Sequence, residues 1–160
     1  MSAPSSTRLA SPFWVLLLIF AAIRLTAGAQ GVPYENPRIA AVSLLVLLFV
    51  SAALTSALAR GLSGLTLGQA AKTGALMGIY AQVVIFTLTM ISIGAGINTY
   101  FNYPAALDDS LIGQPITFAN ALPPRLQGLV AGPITGAVAA MIGWLIGGVM
   151  KLNIGMMRKG

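Results

Sequence analysis

Residues 43–59 read SLLVLLFVSAALTSALA, and no charged side chain interrupts them before Arg60. An apolar run of that length crosses a hydrocarbon core about 30 Å thick when it is coiled as an α-helix rising about 1.5 Å per residue. A β-barrel is the other architecture that satisfies its backbone in lipid, but its strands alternate in polarity. This run is continuously apolar, so it reads as a transmembrane helix.

Three more stretches follow the same pattern. With residues 39–59 they give four expected spans, 13–29, 39–59, 73–97 and 129–150, joined by connectors at 30–38, 60–72 and a long one at 98–128. The whole composition agrees: 57% of the 160 residues are hydrophobic, 8% are charged and the mean hydropathy is +0.87. A soluble domain carries about 25% charged residues, so this chain has too little charge to coat a globule in water. The expected fold is all-α, a single domain over residues 1–160 built as an integral membrane bundle of four transmembrane helices.

Charge placement gives the threading. Arg8, Arg60, Lys72, Lys151, Arg158 and Lys159 flank the two termini and the 60–72 connector without an acid among them. The opposite connectors hold Arg38 and Arg125 together with all three acids, Glu35, Asp108 and Asp109. Lys and Arg in short loops are retained on the cytoplasmic side, so both termini are expected to be cytoplasmic and the 98–128 loop outside, in a bacterial inner membrane. The net charge of +6 has the same origin. Its cations sit in separate juxtamembrane places, which does not suit nucleic acid. The first span has a rival reading as a cleavable secretory signal, because Arg8, an apolar run and Ala27-Gly28-Ala29 stand in that order. Retention is favoured, since the retained helix keeps both termini on the cation-rich side.

There is no His and no Cys. Histidine-ligated haem, iron-sulfur clusters, zinc sites, thiol chemistry and Ser-His-Asp catalysis are thereby removed from this chain. No GxxxxGK[ST] motif offers a phosphate cradle. No catalytic, cofactor-binding or metal-binding residue is assigned. Adjacent Asp108 and Asp109 read as a cap ahead of Ser110-Leu111-Ile112 rather than as an acid-base pair.

Arg24 is the most unusual residue, because a guanidinium within an apolar span costs about 2.5 kcal/mol or more at the helix centre. Its place toward the outer boundary lets it reach headgroups or meet Glu35, Asp108 or Asp109. Contact with an anionic substrate, a lipid or a partner subunit is the sharper alternative. The third span bears Gly74, Gly78, Gln82, Thr89, Ser92 and Gly96 at helical spacing, and the fourth region bears Gly128, Gly132 and Gly136, then Gly143 and Gly147. Such patterns bring helices close and let hydroxyls and amides bond across the seam. Alternatively, Gln82, Thr89 and Ser92 line a polar path beside a fourth helix bent at Pro133. Tyr100, Phe101, Tyr103 and Tyr34 suit an outer aromatic belt, with Phe13 and Trp14 at the inner edge. In the long loop, the apolar segments 107–112 and 116–122 are expected to lie on the membrane surface or against another protein.

The expected role is that of a non-catalytic, small accessory or structural subunit, with the lipid bilayer and other membrane protein subunits as partners. The alternative is a small transporter or channel for an ion or small polar solute, weakened by the lack of an acidic residue in any span. An enzyme acting on lipid or quinone ranks third, with Arg24, Glu35, Asp108, Asp109 and Arg125 near the outer boundary as the polar groups that would assemble into a site.

Overall fold

A computed structural model describes the backbone of residues 5–157 and, apart from Ala40 and residues 150–157, their side chains. The cations Arg158 and Lys159 and the Lys151 side chain lie outside the described residues. The chain is all-helical: α1 (Ser6–Ala29), α2 (Pro37–Ala40), α3 (Leu44–Ser63), α4 (Leu67–Gly94), α5 (Pro104–Leu107), a 3₁₀ turn (Asp109–Leu111) and α6 (Phe118–Met157). Four of these helical segments are long and apolar enough to cross a membrane, so the chain is a multi-pass membrane protein.

Each long helix begins at a hydroxyl side chain, which supplies an acceptor for a backbone N–H that has no partner in the first turn. Ser5 accepts from Arg8 N and Ser43 from Val46 N. Thr66 and Gln69 form a reciprocal capping box, and Thr117 and Asn120 exchange the same pair of bonds. These caps lengthen the helices beyond the apolar runs, so that α1 starts at Ser6, α4 at Leu67 and α6 at Phe118.

Proline does not stop them. Pro12 cannot donate to the carbonyl of Arg8, and the Ser11 hydroxyl donates to that oxygen instead, at 2.9 Å. Pro123, Pro124 and Pro133 all lie within α6. The second expected span is in turn less continuous than its sequence. Asn36 and Pro37 start the one-turn helix α2, the chain breaks at residues 41–43, and Ser43 restarts it as α3.

Helix α4 is central. It packs most extensively on α6, then on α1 and α3, and α3 packs on α6. Its buried face is Ala70, Thr73, Gly74, Met77, Gly78, Ala81, Thr89 and Ser92, a strip at three- and four-residue spacing. Against it lie Phe13, Leu17 and Ala21 of α1, Leu48 and Ala52 of α3, and Ala139 and Ala140 of α6. Many other large aliphatic side chains point the other way: Val15, Leu18, Leu45, Leu54, Leu58, Val130 and Ile134 are all exposed. Alanine, glycine and hydroxyl residues recur on the inner faces beside a few large side chains, as expected where lipid is the solvent and helices adhere by close fit.

The fit is closest between α4 and α6. A methyl group added at Gly74 would overlap the backbone of Gly136, and one at Gly78 the backbone of Gly132 and Pro133. Farther along α6, Gly143 and Gly147 sit against the backbone of Ala53 and Ala57 of α3. One side of α6 thus grips two helices in succession through glycine.

The aromatic belt expected at the outer edge is corrected by the structure. Tyr100 and Phe101 are each only 3% exposed, because the chain turns at Gly96 (φ 66°) and re-enters the bundle. Trp14 is packed on Tyr80, centroids 4.5 Å apart, and its buried indole nitrogen has no partner among the described residues. The apolar loop segments also differ from expectation: Leu111 is buried, and residues 118–122 form the start of α6.

Gly78→Val should destabilise the protein by about 3 kcal/mol through overpacking, whereas Gly61→Ala, whose new methyl meets nothing within 4 Å, should stabilise it by about 0.5 kcal/mol. Unfolding titrations in mixed micelles of an ionic and a non-ionic detergent would measure both. Equal midpoints for the two variants would contradict the close α4–α6 seam.

Candidate functional site

Polar groups within the described bundle converge where residues 99–103 fold back toward α4 and α6. The segment is first tied to itself. Thr99 N donates to Asn102 Oδ1 at 2.7 Å, Phe101 N donates to Thr99 Oγ1 at 3.1 Å, and Asn102 Nδ2 donates to the Ile97 carbonyl at 2.9 Å. Two hydroxyls of α4 then receive it. Ser92 Oγ lies 2.8 Å from Thr99 Oγ1, and Thr89 Oγ1 lies 3.0 Å from the Phe101 carbonyl oxygen. Both hydroxyls are also within hydrogen-bond distance of the carbonyl four residues earlier in α4, so neither needs water.

Arg125 closes the arrangement from α6. Its Nη2 donates to the Phe101 carbonyl at 2.6 Å, its Nε to Thr89 Oγ1 at 2.8 Å and its Nη1 to the Ala106 carbonyl at 3.4 Å. A planar fork with several donors can hold a loop in this way, where a lysine would present a single point charge. The expected position of Arg125 in an outer loop is therefore corrected: it belongs to α6 and is largely withdrawn from solvent. A signal for this was present. Arg125, Gly128, Gly132 and Gly136 recur at three- and four-residue spacing, so extending the glycine stripe back one turn places the arginine on the α4-facing side.

The other expected residues fall into separate places. Gln82 does not join the loop; its side chain lies over Gly128 and Gly132, where a methyl group at either glycine would strike it. Gly136 meets Gly74. Arg24 stands apart on α1, with Nη1 donating at 3.5 Å to the carbonyls of Ile39 and Val42, next to the break between α2 and α3. Its guanidinium also lies 5.6 Å from the Tyr34 ring and 5.3 Å from the Tyr100 ring. Carbonyls and aromatic faces, rather than Glu35, Asp108 or Asp109, are thus its partners.

Above Arg24 the tyrosines form a second cluster. Tyr34 stacks on Tyr103 with centroids 4.6 Å apart and meets Tyr100 edge-on at 5.6 Å. Tyr100 donates to the Val32 carbonyl at 2.7 Å, which pins the 30–36 connector to the returning loop. Gly28 allows this approach, because a side chain there would overlap the backbone of Thr99 and Tyr100. A cavity of about 320 Å³ lies among Gly28, Pro33, Tyr34, Glu35, Asn98 and Tyr103.

Tyr103 donates to Glu35 Oε1 at 3.0 Å. This hydrogen bond and the carboxylate charge raise the phenol above its ordinary pKa. Asp108 is shifted the opposite way: hydrogen bonds from Ser110 hold its carboxyl below the usual value, and it caps the 3₁₀ turn as expected. The hydroxyls, the asparagine and the arginine around residues 99–103 thus find their partners among the described residues. The arrangement can hold a loop rigid and offer aromatic faces with one carboxylate.

Arg125→Gln should loosen residues 99–103 and cost about 3 kcal/mol, the worth of hydrogen bonds from a charged donor to buried acceptors. Hydrogen exchange of the Thr99 and Phe101 amides would report it, and unchanged protection would refute the stapling role. For Tyr103, the bond to Glu35 is present below the ordinary phenol pKa and lost as pH rises through the raised value. Glu35→Gln should accordingly lower the pH of Tyr103 ionisation, measured by ultraviolet absorbance against a Tyr103→Phe control. An unmoved titration would contradict the contact. In comparisons with known proteins, no protein-family model, no curated protein and no solved structure matches this chain.

Proposed function

We propose that this protein is a non-catalytic integral membrane subunit that packs against larger membrane proteins, with both termini in the cytoplasm of a bacterial cell. One observation carries the reading: the buried hydroxyls of α4 and the arginine that could have served a solute are hydrogen-bonded within the chain. Thr89 and Ser92 bond to the returning loop and to their own helix, Arg125 donates to two carbonyls and to Thr89, and Gln82, which has no hydrogen bond among the described residues, is packed over two glycines. Between α4 and α6, glycine backbones meet where a polar path would have to run. What the protein presents to its surroundings is apolar helix surface and a loop tip around Asp108, Asp109, Ser110 and Ile112. A rigid presented loop on a small apolar bundle suits an accessory chain.

The retained first span belongs to the same reading, since Phe13, Leu17 and Ala21 are buried against the other helices and their loss would uncover α4. The cytoplasmic placement of the termini rests on the excess of Lys and Arg at that end.

Extraction in mild detergent should recover the protein in stoichiometric complex with larger membrane subunits, identified by mass spectrometry. A monodisperse single chain, together with solute flux in reconstituted vesicles that Gln82→Leu abolishes, would overturn the proposal in favour of a transporter. Because the chain has no cysteine, threading is testable on a clean background. Ser110→Cys should react with a membrane-impermeant maleimide in intact cells and Ser5→Cys should not; the reverse pattern would invert the topology.

A further inference from the structure

We propose that the cavity between the α3–α4 turn and α6, at the opposite end of the bundle from the returning loop, binds the headgroup of an anionic phospholipid through Arg60. The proposal does not depend on the accessory-subunit reading. The cavity measures about 800 Å³ and is bounded by Arg60, Thr66, Leu67, Trp144, Gly148 and Val149 among others.

Its cation is seated by the fold. The Arg60 guanidinium carbon lies 3.5 Å from the centroid of the Trp144 ring, and Nη1 donates to the Trp144 carbonyl at 2.7 Å. The indole is itself fixed, donating through Nε1 to the Leu65 carbonyl at 2.6 Å. Gly148 leaves the space in which the guanidinium rests, since a methyl group there would overlap it. This glycine therefore serves an arginine and not a helix seam. Arg60 is half-buried, and only Nη1 has a hydrogen bond among the described residues. The remaining N–H donors of its planar fork suit the oxygens of a phosphate.

Charge selects the class of lipid. No described residue lining the cavity is acidic, and the three acids of the sequence, Glu35, Asp108 and Asp109, belong to connectors at the other end. An ammonium group would find no carboxylate here, so a zwitterionic headgroup is matched at one charge only, whereas an anionic one meets Arg60 and the positive end of the α4 dipole beside Thr66 and Leu67. The apolar part is matched as well. Leu67, Leu145 and Val149 are exposed along the rim, where acyl chains would lie, and a basic pocket between transmembrane helices is a recurrent seat for anionic headgroups.

The test uses the full chain carrying Trp14→Phe, so that Trp144 is the only indole. It is reconstituted in vesicles of phosphatidylcholine and phosphatidylglycerol in which one lipid at a time carries brominated chains, at equal mole fractions. Brominated phosphatidylglycerol should quench Trp144 about fivefold more effectively than brominated phosphatidylcholine, as expected for one cation at the membrane surface. Arg60→Gln should abolish the preference, and Arg60→Lys should keep part of it. Equal quenching by the two lipids in the chain with Arg60 intact overturns the proposal whether or not the Gln variant folds. So does a preference that survives in a folded Arg60→Gln variant. If soluble glycerol phosphate erases the preference, the site reads a free phosphate compound and the assignment to a membrane lipid fails.

Discussion

The backbone contact between α4 and α6 is the constraint on which the rest of the molecule depends. Lipid tails offer helices no hydrophobic reason to associate, so adhesion comes from area of close contact and a few hydrogen bonds. Gly74, Gly78, Gly132 and Gly136 remove the side chains that would hold the two helices apart. Only at that separation does Arg125, on the next turns of the same face of α6, come within reach of Thr89 and of the Phe101 carbonyl. The returning loop is in this sense a consequence of the glycine seam. The loop in turn supplies Tyr100, which pins the first connector and rests against the space left by Gly28.

Three arginines follow one rule. Arg24 donates to Ile39 and Val42, Arg60 to Trp144, and Arg125 to Phe101 and Ala106, all of them backbone carbonyls. Pairing with a carboxylate would mean withdrawing a second charge from water, at a desolvation cost that the attraction often fails to recover. A carbonyl is already part of the chain and carries a strong dipole. Where the chain breaks between α2 and α3, and where the loop turns inward, the carbonyls of Val42 and Phe101 lie outside the helices and receive a guanidinium donor. The Ile39 carbonyl also accepts from Val42 N and the Trp144 carbonyl lies inside α6, so at these two oxygens the arginine adds a further bond. This gives part of the excess positive charge a structural role, alongside the juxtamembrane role that Lys and Arg play in threading.

The two ends of the bundle are built differently. One is closed by the folded-back loop, where Ser92, Thr99 and Asn102 are bonded to one another and Tyr100 and Tyr103 bond to the 30–36 connector. The other joins α3 to α4 by a short turn through Gly64, which takes a left-handed φ of 68°, and leaves an open cavity beside Arg60. A rigid, satisfied surface and an open basic cavity suit different neighbours.

By itself the sequence determined the class of the protein: four helices long enough to cross a membrane, the glycine faces on which two of them would meet, and the absence of histidine and cysteine chemistry. These are properties of composition and period, and they survive any detail of packing. Helix ends were also written locally, in Ser5, Ser43, Thr66 and Thr117, although apolar runs alone placed the starts of α1, α4 and α6 too far inward, ran the second span across the break before Ser43, and left Pro123-Pro124 as loop. Tertiary structure decided the rest. Whether Tyr100 and Phe101 face lipid or the interior, whether Thr89 and Ser92 line a path or hold a loop, and whether Arg125 is a loop cation or a staple depend on which groups chain folding brings together. Residues 89, 101 and 125 have no periodicity in common that sequence could display. Their meeting is set by the turn at Gly96 and by the separation of α4 and α6, which exist only once the helices have packed.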